Sequence, residues 1–308
     1  MASGMAKAGR GARGIALVVV LWMLTLLAVI AASFTTTTRT ETRLARNLVE
    51  NAKAEALADA AVHRAIVGLL DGDPDARWAA DGTLYEFAMA DGTAWITIQD
   101  ETGKIDLNAG SRNLIVALLD AADVPLAEAD SLSDAIIDYR DTDDQRRPNG
   151  AEDDDYRDAG LPWGAKDAPF EAVEELQQVL GMTPLLYQAV APALTVHTGQ
   201  EGIDTGVAPR AALLAIPGTD AEAVESYLSA RAGAPEGAGP TFAPAESLGT
   251  RSRSKFFTLR AESRLDNGAI FVREAVVTLG GDRRQVYRLL SWKRGSLIPA
   301  PPPSLVLE

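Results

Sequence analysis

Residues 11–34 read GARGIALVVVLWMLTLLAVIAASF, and this stretch decides how the rest of the chain is organised. Three cations, Lys7, Arg10 and Arg13, lead to a single glycine, Gly14. An apolar run of 18 residues, Ile15 to Ala32, follows at once, with Thr25 its one hydroxyl. As a helix it rises about 27 Å, close to the ~30 Å hydrocarbon core of a bilayer. Cations on its N-terminal side place residues 1–14 in the cytoplasm and the remainder on the far side of the membrane. A secretory signal peptide carries its small-residue cleavage site after the apolar segment. Here the plausible site lies before it, between Gly14 and Ile15, so cleavage leaves the apolar segment on the mature N-terminus. An ordinary signal anchor is the alternative reading.

Beyond the apolar run the helical pattern continues. After the polar stretch TTTTRTETR at 35–43, Leu44, Leu48, Ala52, Leu57, Ala61 and Ile66 recur at spacings of three to five, a slightly drifting amphipathic stripe. Arg43, Arg46, Glu50, Lys53 and Glu55 fill the other face, and Asp71-Gly72-Asp73-Pro74 ends the helix. This predicts one helix of about 50 residues, with a weak point at Thr35–Thr38, where branching at Cβ restricts χ1.

Strand patterns fall in two distant regions. Leu84–Met89 and Ala94–Gln99 flank Asp91-Gly92, a hairpin signal. Much later, Phe257, Leu259, Ala261 and Leu265 alternate with Thr258, Arg260, Glu262 and Arg264, the mark of a half-buried antiparallel strand. Asn267-Gly268 turns the chain into Ile270–Leu279, Gly280-Gly281 breaks it, and Val286–Lys293 follows. Between the two regions few strand patterns occur. Leu114–Leu119, Leu132–Tyr139, Val173–Leu180, Pro184–Ala191, Ala208–Ile216 and Ala221–Ala232 read as short helices. The predicted fold is α+β, a long N-terminal helix packed on an antiparallel sheet that is split by a large all-helical insertion. The segments are a leader at 1–14, the membrane-inserted start of the helix at 15–34 and its amphipathic continuation at 35–72. The first part of the β domain spans 73–109, the insertion 110–245, the return strands 246–296, and a proline-rich tail 297–308.

The chain has 308 residues, a formal charge of −14, no cysteine and two histidines, His63 and His197, far apart in sequence. Losing Lys7, Arg10 and Arg13 with the leader takes the charge to −17. So acidic a chain does not hold nucleic acid by general electrostatic attraction. Without cysteine there is no disulfide or thiolate metal site, and no motif surrounds either histidine to build a zinc site or a hydrolytic triad. Ile216-Pro217-Gly218 between two short helices looks like a helix-hairpin-helix. Asp204, Asp220, Glu222 and Glu225 outnumber Arg210 and Arg231 there, the wrong balance for phosphate.

Residues 138–156 read DYRDTDDQRRPNGAEDDDY and carry eight carboxylates, Asp138, Asp141, Asp143, Asp144, Glu152, Asp153, Asp154 and Asp155. A solvated acidic loop is one reading. The other is a cation site: the acids form two groups about Pro148-Asn149-Gly150, and a turn there brings together carboxylates that repel without a counterion. Calcium takes six to eight oxygen ligands in flexible geometry. Counted from Asp141 as position 1, Asp143, Gln145, Asn149 and Glu152 fall at EF-hand positions 3, 5, 9 and 12, but Arg146 stands where that loop requires glycine. The loop is not an EF-hand.

Leader, split β domain, helical insertion and acidic loop together resemble the K-type minor pseudopilin of the type II secretion system. The leader is similar to the class III leaders of type IV pilins and pseudopilins, in which a prepilin peptidase cuts after glycine and methylates the next residue, here Gly14 and Ile15. The family pattern D-W-x-D-x-D, a turn, then G-A-E-D-x-x-Y stands as Asp138-Tyr139-Arg140-Asp141-Thr142-Asp143 and Gly150-Ala151-Glu152-Asp153-Asp154-Asp155-Tyr156, with tyrosine for the tryptophan. Asp100–Asn108 and Ala168–Leu176 resemble the flanking family segments. The resemblance implies a SAM-like insertion that binds one or two structural Ca²⁺ ions, with Asp141, Asp143, Glu152 and Asp153 as ligands and Asp138 and Asp155 as further candidates. Val19, fifth in the processed chain, stands where most pilins carry glutamate to neutralise the N-terminal amine. Its absence matches the K type and suits a subunit with no neighbour above it.

The resemblance further implies a non-enzymatic inner-membrane subunit, single-pass, with its C-terminal domain in the periplasm. It would initiate or cap the pseudopilus for export across the outer membrane. Its partners would be the I- and J-type minor pseudopilins, the G-type major pseudopilin, the prepilin peptidase, the inner-membrane secretion platform and the bilayer, with no nucleic acid. The alternative is a bitopic inner-membrane protein with a calcium-stabilised periplasmic binding domain and no filament role.

Overall fold

A computed structural model describes residues 12–73, 76–232, 240–242, 255–280 and 285–297, with backbone alone at 12–14 and 35–40. Most of the leader, Pro74, nearly all of the Gly/Pro-rich stretch at 233–249, Gly281 and the tail from residue 298 lie outside the described residues. The chain divides into two compact units, Met1–Ala54 and Glu55–Glu308. Helix α1 runs Ala12–Leu69, 58 residues.

In the first unit, Ile15–Phe34 is long and apolar enough to cross a membrane, and its side chains are exposed. The Thr25 hydroxyl at its middle is satisfied within the helix, Oγ1 donating to Trp22 O at 2.8 Å, as a segment in lipid requires. The backbone stays helical through Thr35–Thr38, so the expected weak point does not interrupt the helix. Each β-branched residue costs only about 0.5 kcal/mol, and propagation between formed turns adds a hydrogen bond per residue.

The second unit holds a five-stranded antiparallel sheet in the order β1-β2-β5-β6-β7. Its strands are β1 (Asp81–Met89), β2 (Gly92–Asp100), β5 (Phe256–Leu265), β6 (Ile270–Leu279) and β7 (Tyr287–Arg294). The sequence periodicity places all five to within a few residues. The central pair runs in unbroken register, from Gly92 opposite Leu265 to Asp100 opposite Phe257. Ala94, Ile96, Ile98, Phe257, Leu259, Ala261, Ala275 and Val277 are buried, the alternate positions that strand geometry turns to one face.

Leu57, Ala58, Ala61, Val62, Ala65, Ile66 and Leu69 of α1 are buried at the spacing of one helical stripe. Arg273 of β6, 6% exposed, ties α1 to the sheet, with Nε 2.6 Å from Asp59 and Nη2 2.6 Å from Glu55. His63 packs on Trp292 of β7, and Arg64 lies over Trp78.

Between β2 and β5 the chain leaves the sheet. It forms β3 (Ile105–Asp106), α2 (Arg112–Ala121), α3 (Leu126–Arg140), α4 (Asp153–Asp158), α5 (Pro184–Val190), β4 (Leu194–Thr195), α6 (Arg210–Leu214) and α7 (Ala221–Ala232). Val173–Gln178 is a 3-10 helix rather than α-helix. The parallel β3–β4 pair and α4 are additions to the sequence reading. The insertion has its own core, including Ile105, Leu107, Leu114, Ile136, Tyr156, Leu176 and Leu213. Polar contacts fix it to the sheet. Gln99 Nε2 donates to Val207 O at 2.6 Å, Arg231 Nη2 to Asp81 O at 3.0 Å, and Thr258 Oγ1 to Glu101 Oε1 at 2.7 Å.

Candidate metal centre

The acidic loop begins inside α3. Arg112 of α2 pairs with Asp134 at 2.6 Å and Asp130 at 2.9 Å, fixing this side of α3. One and two turns on, Asp138 is fully buried and Asp141 caps the helix end. The chain then loops out through Arg146 and Arg147 and returns at Gly150. A Cβ at Gly150 would lie 1.9 Å from Asp138 Oδ2, so only glycine fits against that carboxylate. Glu152 follows as the N-cap residue of α4, 9% exposed.

A third segment completes the cluster. Tyr156, fully buried, accepts the Leu180 N–H at 3.0 Å, and its phenol is pushed up to about 12 by that burial. Lys166 N donates to Tyr139 O at 3.2 Å, and Lys166 Nζ pairs with Glu175 at 2.7 Å. These contacts bring Asp167 to the loop in the left-handed conformation, φ 53°, which aspartate tolerates better than most residues.

One oxygen on each of four carboxylates is buried without a hydrogen-bond partner, Asp138 Oδ1, Asp141 Oδ1, Glu152 Oε1 and Asp167 Oδ1. Their titration shares one cause. Burial raises Glu152 to about 7, with Asp138, Asp141, Asp167 and Asp144 adding repulsion. Burial raises Asp138, Asp141 and Asp167 as well. Such groups are costly to ionise where they stand. Among the described residues, no three His, Cys, Asp or Glu side chains converge closely enough to hold a metal as placed. The acids are neighbours held apart.

Of the six residues marked in the sequence, Asp138, Asp141 and Glu152 come together here. Asp143 is exposed and accepts the Gln145 N–H at 3.0 Å. Asp153 is exposed beside Gly164, where a Cβ would meet its Oδ1 at 1.8 Å, and its charge acts on Asp167. Asp155 is engaged twice, accepting the Glu152 N–H at 3.0 Å and pairing with Arg146 at 2.7 Å, and it is held below the usual carboxylate range chiefly by that N–H. Asp167 is the member that sequence reasoning missed. It lies past the acidic run, and its one local mark is its place just before Ala168-Pro169-Phe170.

Gly14 and Ile15 both lie within α1. At Ile216-Pro217-Gly218 the structure places the hairpin between α6 and α7, with Gly218 at φ +81°.

Residues 95–199 match the family model described as type II secretion system (T2SS), protein K, and residues 13–63 match the one described as PilX N-terminal. A Klebsiella pneumoniae protein named type II secretion system protein K is 30% identical over 227 residues, covering 66% of this chain and 69% of that protein. Among solved structures, a chain of the GspK-GspI-GspJ complex from enterotoxigenic Escherichia coli shares the fold at a TM-score of 0.56 and 19% identity. That match covers 84% of this chain and 99% of the other.

Proposed function

This chain belongs to the type II secretion system protein K family, and on that premise we propose that it stands at the tip of the pseudopilus as a structural, non-catalytic subunit. There it joins I- and J-type minor pseudopilins to initiate or cap the filament. The observation that carries this reading is the fold shared with a protein crystallised in a GspK-GspI-GspJ complex. The 20-residue apolar segment, Ile15–Phe34, supports single-pass anchoring in the inner membrane, with the larger unit in the periplasm. Val19 in place of an acid supports a terminal position.

Two measurements on the membrane-extracted chain test the reading. Mass spectrometry is expected to find a mature N-terminus at N-methylated Ile15, and Gly14→Leu to block that processing. Affinity capture is expected to recover I- and J-type subunits. An intact leader in the parent protein together with failure of both pairings would leave the bitopic alternative standing.

A second reading concerns calcium, and the four orphaned oxygens carry it. A hard divalent cation is the ligand class that matches four neighbouring carboxylates, each with one buried oxygen that takes no hydrogen bond. Asp138, Asp141, Glu152 and Asp167 would hold it, with Asp143 and Asp153 near enough in the chain to contribute. The ion would supply positive charge that links α3, α4 and the Asp167 loop. Elemental analysis is expected to find one or two Ca²⁺ per chain. Calcium at a hundredfold excess over Kd stabilises the folded state by about 2.7 kcal/mol, and magnesium substitutes poorly because it dehydrates reluctantly. A melting temperature unmoved by calcium and no bound metal would identify the loop as a solvated surface.

A further inference from the structure

Arg147 sits among these acids. Its backbone N–H donates to Asp138 Oδ2 at 3.1 Å. Its Nε stands 3.3 Å from Asp138 Oδ1 and its Nη2 3.9 Å from Asp141 Oδ2. The side chain is 43% exposed where that of Asp138 is fully buried and that of Asp141 half-buried, so a cation reaches in from solvent toward a buried acid and its neighbour. It neutralises without saturating: Asp138 Oδ1 and Asp141 Oδ1 still lack a hydrogen bond. A well-seated guanidinium forms a bidentate fork with a carboxylate, and this one does not.

We propose that Arg147 is a built-in counter-cation that occupies the acidic site in the absence of metal and is displaced when calcium binds. This rests on the calcium reading above. The physical argument is exclusion. The guanidinium and a calcium ion would face the same lone pairs, and the ion brings twice the charge and takes up the oxygens that arginine leaves unmet. The two functions of Arg147 are separable, because its N–H holds Asp138 in either state and only its side chain has to leave. Arg146 provides the internal control. It is also a loop arginine on an acid, 2.7 Å from Asp155, but Asp155 is not among the orphaned groups.

The test is calorimetric titration of the full chain in detergent with calcium chloride, for the parent, Arg147→Gln, Arg146→Gln and Arg147→Lys. If counter-cation and metal are linked through one site, Arg147→Gln tightens calcium binding about fivefold or more. It also lowers the melting temperature in chelator. Arg146→Gln is expected to change affinity by less than about twofold, and Arg147→Lys, which keeps the charge, to remain near the parent. The Arg147 Nε–H resonance is expected to shift on calcium addition, a readout independent of affinity. Unchanged or weakened binding in Arg147→Gln, or equal gains in both glutamine variants, overturns the displacement. A parent that binds no calcium overturns the calcium reading and this inference with it, so the two failures are distinguishable.

Discussion

Asp106 and Asp138 are both fully buried aspartates of the same helical insertion, and they are treated in opposite ways. Asp106 Oδ1 accepts the N–H groups of Asn108 at 2.8 Å and Ala109 at 3.0 Å. Its Oδ2 accepts Thr198 N–H at 2.9 Å, Thr198 Oγ1 at 3.0 Å and Gly199 N–H at 2.8 Å. Arg140 adds its field. Asp138 has two backbone N–H groups, those of Arg147 and Ala151, and its Oδ1 takes no hydrogen bond, with only the Arg147 guanidinium 3.3 Å away. A buried carboxylate supplied with donors is a strut tying two loops together. One left short of donors beside other acids raises the cost of its own charge, and on the calcium reading proposed above a cation would relieve it.

The largest effect should come from breaking this contrast at the completed end. Asp106→Ala removes the shared, fully buried acceptor of five part-buried donor contacts, at a cost of about 4 kcal/mol, with or without calcium. Asp138→Asn is expected to stay within about 1 kcal/mol of the parent in chelator, since an amide oxygen still accepts the same N–H groups and repulsion with Asp141 and Glu152 falls. It should lose most of the calcium response. Urea unfolding of the full chain in detergent, in EDTA and in calcium, checks both. An Asp138→Asn protein as unstable in EDTA as Asp106→Ala would show that the two carboxylates are alike after all.

The second effect is in pH. In chelator, Glu152 titrates near 7 in the folded chain against an ordinary value of 4.5. The folded state then holds more protons than the unfolded one between these limits, so stability is full below 4.5 and falls as pH rises toward 7. Asp138, Asp141 and Asp167 shift the same way; Arg147 opposes the shift at Asp138 and Asp141, and Arg140 also does so at Asp141. The loss attributable to Glu152 is on the order of 3 kcal/mol. Calcium should reverse the slope, because protons compete with the metal for the same oxygens. Melting temperatures from pH 4.5 to 7.5, with EDTA and with calcium, read the sign directly.

Third comes the glycine that lets the loop close. Gly150→Ala places a methyl 1.9 Å from Asp138 Oδ2 and 2.8 Å from its Cγ, which forces the loop away at about 2 kcal/mol. Calcium affinity should fall with it, since Glu152 is carried by the same turn. Unchanged stability and affinity would mean that the return of the chain at 150 does not seat the acids.

The difference between these regions also explains what the sequence could reveal. Helix α1 and strands β2, β5 and β6 are long and periodic, so Ala61 and Ile66 or Leu259 and Ala261 mark buried faces without any tertiary knowledge. The acidic run is conspicuous, and Asp138, Asp141 and Glu152 lie as neighbours without converging. Asp106 gave no signal, because Thr198 and Gly199, which satisfy it, lie 92 and 93 residues away. Asp167 was missed for the same reason, as a residue of a separate loop delivered by Lys166 and Tyr139. Helix α4 has six residues and β3 and β4 two each, too short for a period to register. The orphaned oxygens that separate a ligand site from a charged surface depend on burial, which composition does not encode.

The smallest effect sets the floor for reading the others. Arg210 and Glu225 pair at 2.5 Å on the hairpin of α6 and α7, with their side chains 53% and 58% exposed. By distance alone this contact rivals the Arg112–Asp134 pair at 2.6 Å. Exposure decides otherwise. Water screens the charges, and two long side chains lose freedom to meet, so Arg210→Ala is expected to cost no more than about 0.3 kcal/mol, a melting shift near 1 °C. Arg112→Ala, which leaves the buried Asp134 carboxylate without its partner, should cost about 3 kcal/mol. If the two variants lose equal stability, burial is not what sets the worth of charge in this insertion, and the contrast between Asp106 and Asp138 loses its basis. Thermal unfolding of the pair in one buffer, at low and high salt, is sufficient to decide.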